Sequence, residues 1–317
     1  MKLLRTAACV LVWGFWSAAT PAQDVPTFEA GVESVYVDVF VTGKGKSAPR
    51  LTDRDFELRD NGVPQTVRVV SLEAIPLRAV LVFDASASVA GAKLRHLRSA
   101  GRAFLNGLQL DDEPSLLTFS HEIRLREPPA SAPHSLAAAL DRLRPSGGTS
   151  LLDALFAALK LVERSAGRPV IIVFTDGEDN FSWLGEAELL ELAEESNALV
   201  YAVGVAEQSR LSVDGRFGFD VSGPARERSE FLREIASITG GRAWDVKSSS
   251  RLEKAFLEIL DELHSRYLLT YSPERVDEPG WHELQVRVKN RKAKVRARRG
   301  YYRSRAASDT LGGSNGP

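Results

Sequence analysis

The sequence has one cysteine and one methionine among its 317 residues. The cysteine, Cys9, lies in the N-terminal segment "MKLLRTAACVLVWGFWSAATPAQ", so the rest of the chain forms no disulfide and offers no thiol for catalysis or metal binding. An excess of charge is also absent, because 41 Lys and Arg stand against 42 Asp and Glu. The net charge therefore gives no general reason to expect binding to nucleic acid or to a membrane surface.

Common catalytic patterns are absent as well. The chain contains no H-E-x-x-H motif, and its one G-x-S-x-G match, "GGSNG" at residues 312–316, follows no strand pattern and so is no nucleophile elbow. Its five histidines show no metal-ligand spacing and no nucleophile partner, and we expect them at surface or helix positions: His96, His121, His134, His264 and His282.

The first 22 residues have the layout of a secretory signal peptide. Lys2 and Arg5 precede an uncharged apolar run from Ala7 to Trp16, and small residues follow. We expect residues 1–22 to be cleaved and the protein to be exported, either secreted or periplasmic, from a bacterium. The apolar run is too short to span a bilayer, and no later run approaches that length, so we expect no transmembrane segment in the mature chain.

Strand patterns flank the middle of the chain. Residues 28–75 contain the alternating stretch "VYVDVFV" and two strands around the Asn61-Gly62 turn, and residues 267–305 contain "YLLTYSP", "HELQVRVKN" and "AKVRARRGYYR". Because neither segment has enough strands to be stable alone, we predict that the two form one small β-sandwich-like domain. Residues 306–317 read as a disordered tail.

Residues 76–266 alternate apolar strands with amphipathic helices. The strands "RAVLVFD", "RPVIIVFTDG" and "ALVYAVGV" each contain a continuous apolar run, which indicates burial on both faces. "PSLLTFS" and "EIRLRE" read as an antiparallel pair. The pattern predicts an α/β fold with a doubly wound, mainly parallel, Rossmann-like sheet, inserted in or flanked by the β-domain.

Polar residues stand where these strands end. The first strand is followed by Asp84, Ser86 and Ser88, the strand "VIIVFTDG" ends in Asp176, and Thr149 in "GGTSLLDAL" precedes a helix. Carboxyl ends of parallel strands meet at one edge of a sheet, so these oxygen atoms can converge on a small, hard cation. Turn formation and helix capping are the alternative explanation for each residue, and the ordered set favours a metal site.

The motif Asp84-x-Ser86-x-Ser88, with a separate Thr149 and a separate Asp176, resembles the metal-ion-dependent adhesion site of von Willebrand factor type A (VWA) domains. The resemblance implies that the two serines coordinate the ion directly, that the threonine does so directly or through water, and that the aspartates act largely through water. It further implies Mg²⁺ or Mn²⁺ in preference to Ca²⁺, with one coordination position open to a Glu or Asp of a partner.

The wider chain also resembles known proteins. The arrangement from Arg78 to Arg266 is similar to a VWA domain, and the flanking strands with the ending "VRARRGYYR" are similar to the "VWFA-related" proteins of bacteria. The resemblance implies a monomeric, non-enzymatic binding or adhesion protein with a protein ligand. Two alternatives remain: a scaffold or assembly factor of the cell envelope that tolerates loss of metal, and, less favoured, a metal-assisted hydrolase with Glu178 or Asp179 nearby.

Two aromatic pairs are candidate partner contacts. Phe181 and Trp183 follow the metal loop, and Phe217 and Phe219 lie in the long segment 206–228. Each pair either meets a partner or packs onto the domain.

The segment 287–305 holds ten basic residues and no acidic residue. Its strand alternation predicts a solvated basic face of an edge hairpin rather than a polyanion site, so we expect no nucleic-acid partner.

Overall fold

The structure, a computed structural model, describes residues 34–43, 46–47, 51–70, 75–163, 167–176, 179–205, 222–289 and 292–303, with backbone alone for 46–47 and 222–228. All of them belong to one unit, Glu33–Pro317, defined by contacts within the chain. The predicted signal peptide, the tail 306–317, Glu178, Phe217 and Phe219 lie outside the described residues. None of the described helices is long and apolar enough to cross a membrane.

The described part of the chain begins and ends in β-strands and has alternating strands and helices between them. The first strands are β1 (Val35–Gly43), β2 (Lys46–Ser47), β3 (Phe56–Asp60), β4 (Val63–Gln65) and β5 (Arg68–Val70). The middle contains β6 (Leu77–Asp84), α1 (Ala92–Asn106), β7 (Glu113–Phe119), β8 (Ile123–Glu127), α2 (Pro133–Asp141), α3 (Leu151–Val162), β9 (Arg168–Thr175), α4 (Glu186–Glu195), β10 (Leu199–Val205), α5 (Ser222–Ile238), β11 (Arg242–Val246) and α6 (Leu252–His264). The last strands are β12 (Tyr267–Tyr271), β13 (Gly280–Val288), β14 (Lys294–Arg296) and β15 (Gly300–Arg303).

The central sheet has the order β11-β10-β9-β6-β7-β8, and β8 alone is antiparallel to its neighbour. Alternate residues of β6 enter different cores: Leu81 and Phe83 pack with α1, α2 and α6, whereas Val80 and Val82 pack with α3, α4 and α5. Burial on both faces explains why the strand has no polar alternation. The predicted α/β fold with a mainly parallel sheet is confirmed.

Strands from the two ends of the chain interleave in two antiparallel sheets. One has the order β14-β1-β12-β5, with β2 pairing to β1, and the other has the order β15-β13-β3-β4. Both sheets contribute to one apolar core. Asn61 and Gly62 connect β3 to β4 with φ of 45° and 80°, as a two-residue hairpin turn requires. The flanking β-structure that the sequence predicts is therefore present.

The last predicted strand is divided into β14 and β15. Between them the Arg299 N–H donates to the Ile238 carbonyl (3.1 Å), and the Arg298 side chain turns inwards to Asn197 and to the Glu194 carbonyl. These contacts with the α/β core draw the backbone out of the sheet. The prediction of one continuous strand was wrong for this reason.

The basic segment is also less solvated than predicted. Arg296 pairs with Glu262, Arg299 with Glu234 and Arg303 with Asp277, and Arg298 is buried. The side chains that match the predicted solvated face are Arg287, Lys289, Lys292, Lys294 and the half-exposed Arg299.

Two further expectations need correction. His282 is fully buried, with Nδ1 2.8 Å from Asp60 Oδ1, because the alternation of β13 turns this position towards the core. The segment 206–228 is not a loop throughout, since α5 begins at Ser222.

Candidate metal centre

The predicted ligands lie at the point where the order of strands reverses. β6 and β9 are neighbours, and the chain leaves them in opposite directions, from β6 towards β7 and from β9 towards β10. Asp84 is the last residue of β6, and Asp176 directly follows Thr175, the last residue of β9. Such a reversal opens a crevice at the carboxyl edge of a parallel sheet, where ligands commonly bind.

The three polar residues after β6 contact one another. Asp84 is fully buried, and its Oδ1 accepts a hydrogen bond of 2.8 Å from the Ser86 backbone N–H. The Ser86 and Ser88 hydroxyl oxygens are 2.9 Å apart. A 3₁₀ turn over Ala87–Val89 follows the strand and brings the alternate serines together. On the other side, the Thr175 hydroxyl donates to Asp84 Oδ2 over 3.1 Å.

The loop that carries Thr149 is docked on this turn through the backbone. The Ser146 N–H donates to the Ala85 carbonyl (2.9 Å), and the Ala87 N–H donates to the Gly147 carbonyl (3.1 Å). Gly147 has a φ of +76°, and a Cβ there would overlap the His121 ring. The glycine therefore permits both the turn and the close approach of His121.

The loop after β9 is fastened to Thr149. The Thr149 N–H donates to Asn180 Oδ1 (2.9 Å), and its carbonyl accepts from the N–H groups of Asn180 (3.1 Å) and Phe181 (3.0 Å). Thr149 itself is buried. The structure thus brings Asp84, Ser86 and Ser88 into direct contact, and backbone bonds attach the segment of Thr149 to both neighbouring loops.

Asp176 is connected to the serine turn by a lysine. Lys93 Nζ donates to Asp176 Oδ2 (3.2 Å) and to the Ser88 carbonyl (3.3 Å). The other carboxylate oxygen, Asp176 Oδ1, is buried and has no hydrogen-bond partner among the residues that the structure describes. Burying a carboxylate oxygen without a partner costs free energy, and a positive group beside the oxygen would offset that cost.

Electrostatics at Asp84 point to the same requirement. Burial raises the pKa of Asp84 from 3.8 to about 6, and the negative charge of Asp176 adds to that rise. The hydrogen bonds from Ser86 and Thr175 act in the opposite direction. Two buried carboxylates that repel each other are stabilised by a cation between or beside them.

The donor set fits a hard divalent cation. Within the described ranges, no group of three or more His, Cys, Asp or Glu side chains could hold a metal ion. The candidate donors here are two carboxylates and three hydroxyl groups. Oxygen-only donors of this kind suit Mg²⁺ and Mn²⁺. The orphaned Asp176 Oδ1 and the raised pKa of Asp84 support this fit.

Two aromatic side chains project from the loop after Asp176. Trp183 is 95% exposed and Phe181 is 56% exposed, so neither is packed under the loop. The backbone beneath them is fixed, because the Trp183 N–H donates to both carboxylate oxygens of Asp153 (3.1 Å each) and the Leu184 N–H donates to one (3.0 Å). Phe181 also makes an edge contact with His121.

Sequence reasoning missed several residues of this site. Lys93, Asn180 and Asp153 hold the loops together, and each is an ordinary residue for its helix turn or loop. Asp153 could have been noticed in the sequence, because it is an acidic residue in the first turn of the helix after Thr149.

Comparison with known proteins gives the domain type. Residues 79–178 match the sequence model of the von Willebrand factor type A domain. This segment is a VWA domain. Curated relatives include inter-alpha-trypsin inhibitor heavy chain H4 of Bos taurus, 28% identical over 65% of this chain and 23% of the relative, and heavy chain H2 of Mus musculus, 24% identical over 60% and 20%. The chain thus spans about a fifth to a quarter of the length of these relatives.

A solved structure shares the fold. The von Willebrand factor type A protein from Catenulispora acidiphila superposes with a TM-score of 0.51 at 13% identity, over 84% of this chain and 73% of that one. At this identity the likeness concerns the VWA fold alone. It extends beyond residues 79–178, as expected for a VWA domain with flanking sheets.

Proposed function

We propose that this chain is an exported, non-enzymatic binding protein whose VWA domain uses a divalent cation to capture an acidic side chain of a protein ligand. The cation-holding residues are Asp84, Ser86, Ser88, Thr149 and Asp176. The observation that carries the proposal is the buried, unpaired Asp176 Oδ1 beside a second buried carboxylate.

The residues have distinct roles in this proposal. Asp84 and Asp176 provide the negative charge that retains the ion, and Ser86 and Ser88 provide neutral oxygen donors. A bound Mg²⁺ or Mn²⁺ supplies a positive centre with an exchangeable coordination position. Because three of the five donors are hydroxyl groups, the protein leaves much of the positive charge available to an outside carboxylate.

The exposed aromatic residues extend the binding surface. The backbone of Phe181 and Trp183 is fixed by Asp153 and Thr149, so little backbone entropy is lost when a ligand covers the rings. Aromatic residues in such positions are frequent anchors of interfaces. We therefore expect the acidic residue of the ligand to have an apolar neighbour.

The geometry favours binding over hydrolysis. The Asp179 carboxylate accepts hydrogen bonds from the N–H groups of Leu152 (3.3 Å) and Ser182 (3.2 Å), so it serves the loop and the start of α3. A general base needs an oxygen directed at the attacking water. The oxygens of Asp179 instead accept hydrogen bonds from backbone N–H groups.

Thermal unfolding tests the proposal. Mg²⁺ or Mn²⁺ at about 100 times its dissociation constant should stabilise the protein by about 2.7 kcal/mol, because the ion binds the folded state. Ser88→Ala should largely remove this gain while the metal-free melting temperature stays unchanged, since Ser88 is exposed. Calorimetric melting curves with Mg²⁺, Mn²⁺ and chelator provide the measurement.

Ser99→Ala is the matched control, because Ser99 is an exposed serine of α1 whose partner is Glu253. It should keep the full metal-dependent gain. A wild-type melting temperature that stays the same in saturating Mg²⁺ and Mn²⁺ would refute metal-dependent capture.

A further inference from the structure

Lys93 places an ammonium group inside the candidate metal centre. It is the second residue of α1, its side chain is 18% exposed, and that of Asp176 is 6% exposed. Its Nζ donates to Asp176 Oδ2 and to the Ser88 carbonyl, so it contacts the segments after both β6 and β9. Its contact with Asp176 is a salt bridge of 3.2 Å between Nζ and Oδ2.

The position of Lys93 is not explained by helix stability. Positive charge in the first turn of a helix is unfavourable, because the helix N-terminus already carries partial positive charge. The ammonium also competes with a metal ion for the negative charge of Asp176. Both effects make this lysine costly for the helix and for metal binding, and against them stand the link that it forms between the two segments and the charge that it adds to the site.

Charge counting shows what the benefit is. The two aspartates carry a charge of −2, and a divalent cation would neutralise them completely. With Lys93 included, the ion and these three side chains together carry a net charge of +1. A carboxylate from outside is attracted by that remaining charge, which acts over several ångströms in a partly buried site.

We infer that Lys93 sets the charge balance of the loaded site, weakening the binding of the cation while strengthening the binding of an acidic ligand. This inference rests on the proposed function. It assigns to one residue a trade-off between the two affinities, and it requires that Lys93 stays beside Asp176 when the cation is bound.

The test measures both affinities separately in Lys93→Met. Titration calorimetry gives the Mn²⁺ affinity, and the relaxation of acetate protons by protein-bound Mn²⁺ gives the acetate affinity at saturating Mn²⁺. Loss of the ammonium should tighten Mn²⁺ binding about tenfold and weaken acetate binding about tenfold, as expected for a unit charge near a divalent ion. Lys93→Arg should stay close to the wild type in both, since it keeps the charge.

Lys254→Met is the matched control, because Lys254 is an 80% exposed lysine of α6 and should affect neither affinity. Lys93→Gln provides a second neutral variant, and circular dichroism verifies that each variant is folded. An unchanged Mn²⁺ affinity in both neutral variants would overturn the inference. Tighter Mn²⁺ binding with unchanged acetate affinity would also overturn it, because Lys93 would then be displaced by the ion.

Failure of the proposed function gives a different result. Wild-type protein that binds no Mn²⁺, or binds Mn²⁺ but no acetate, contradicts the metal-dependent capture of acidic groups itself. Normal wild-type binding with no effect in the neutral variants contradicts the role of Lys93 alone.

Discussion

At the scale of single residues, Asp84 experiences opposing influences. Burial raises its pKa to about 6 and the charge of Asp176 contributes, whereas hydrogen bonds from the Ser86 N–H and the Thr175 hydroxyl lower it. The metal-free folded state therefore binds a proton at Asp84 more readily than the unfolded chain does. Protonation of Asp84 therefore stabilises the metal-free fold. This contribution is complete below the ordinary pKa of 3.8 and is lost as the pH rises through about 6.

Proton and cation compete for this carboxylate, which predicts a pH dependence of metal binding. Mg²⁺ affinity should be constant above pH 7 and fall below about pH 6, by about tenfold at pH 5, because one proton must leave for the ion to bind. Calorimetric titrations at pH 5, 6, 7 and 8 provide the measurement. Equal affinities at pH 5 and pH 8 would show that Asp84 does not hold the ion as a carboxylate.

Sequence reasoning can find some residues of the site and not others. Asp84, Ser86 and Ser88 stand out because they interrupt an apolar strand with oxygen donors at alternate positions. Lys93 does not stand out, since the helical pattern around it gives no sign of its partner, and Asp176 is 83 positions away. Asn180 likewise acts on Thr149 across 31 positions. Contacts between distant segments exist only once the sheet has formed.

At the scale of elements, the loop before α3 joins the parts of the metal centre. Its backbone bonds to the turn after β6 through Ser146 and Gly147, and to the loop after β9 through Thr149. The loop can follow this path because Gly147 adopts a positive φ and leaves room for His121. A change at that glycine should therefore affect three segments together.

Gly147→Ala tests this arrangement. A side chain at a φ of +76° is strained and would overlap His121, so the substitution should lower the free energy of unfolding by about 1–3 kcal/mol. It should also weaken Mg²⁺ binding, because the loop carrying Thr149 must shift. Chemical denaturation and calorimetric titration measure the two effects.

Gly43→Ala is the control for that substitution, since a Cβ at Gly43 would meet no atom within 4 Å. It should leave Mg²⁺ binding unchanged. If Gly147→Ala had the same stability and Mg²⁺ affinity as the wild type, the loop's proposed role would be contradicted.

Elements whose structure follows from adjacent residues are predictable from sequence. β6 and β9 have continuous apolar runs because both faces of the sheet are covered by helices, and the Asn61-Gly62 hairpin follows from the backbone preferences of its two turn residues. The division between β14 and β15 is not predictable in this way. It depends on Arg298 reaching Asn197, which is 101 positions earlier in the chain.

At the scale of the whole molecule, a buried ion network connects the flanking strands to the VWA domain. Asp38 of β1 accepts hydrogen bonds from Arg168, the first residue of β9, and from Arg266, which precedes β12. Arg266 is completely buried and also donates to Glu262 and to the Gly240 carbonyl. Because Arg168 opens β9, the network lies at the end of that strand opposite to Asp176.

The sequence predicts the partnership of the two chain ends but not this network. The strands of residues 28–75 and 267–305 are too few to be stable separately, which is a general argument. Asp38, in contrast, occupies an alternate position of "VYVDVFV" and reads as a solvent-facing residue. Its actual partners are arginines 130 and 228 positions away. The domain boundaries at residues 76 and 266 stay predictions.

The central claim is that one divalent ion lies among oxygen atoms from three segments of the chain. Crystals grown in Mn²⁺ and measured at a wavelength where manganese scatters anomalously test it most directly. We predict a single anomalous peak within coordination distance of the Ser86 and Ser88 hydroxyl oxygens, on the side facing Thr149 and Asp176. An absent peak, with Thr149 and Asp176 turned away from the serines, would contradict the account.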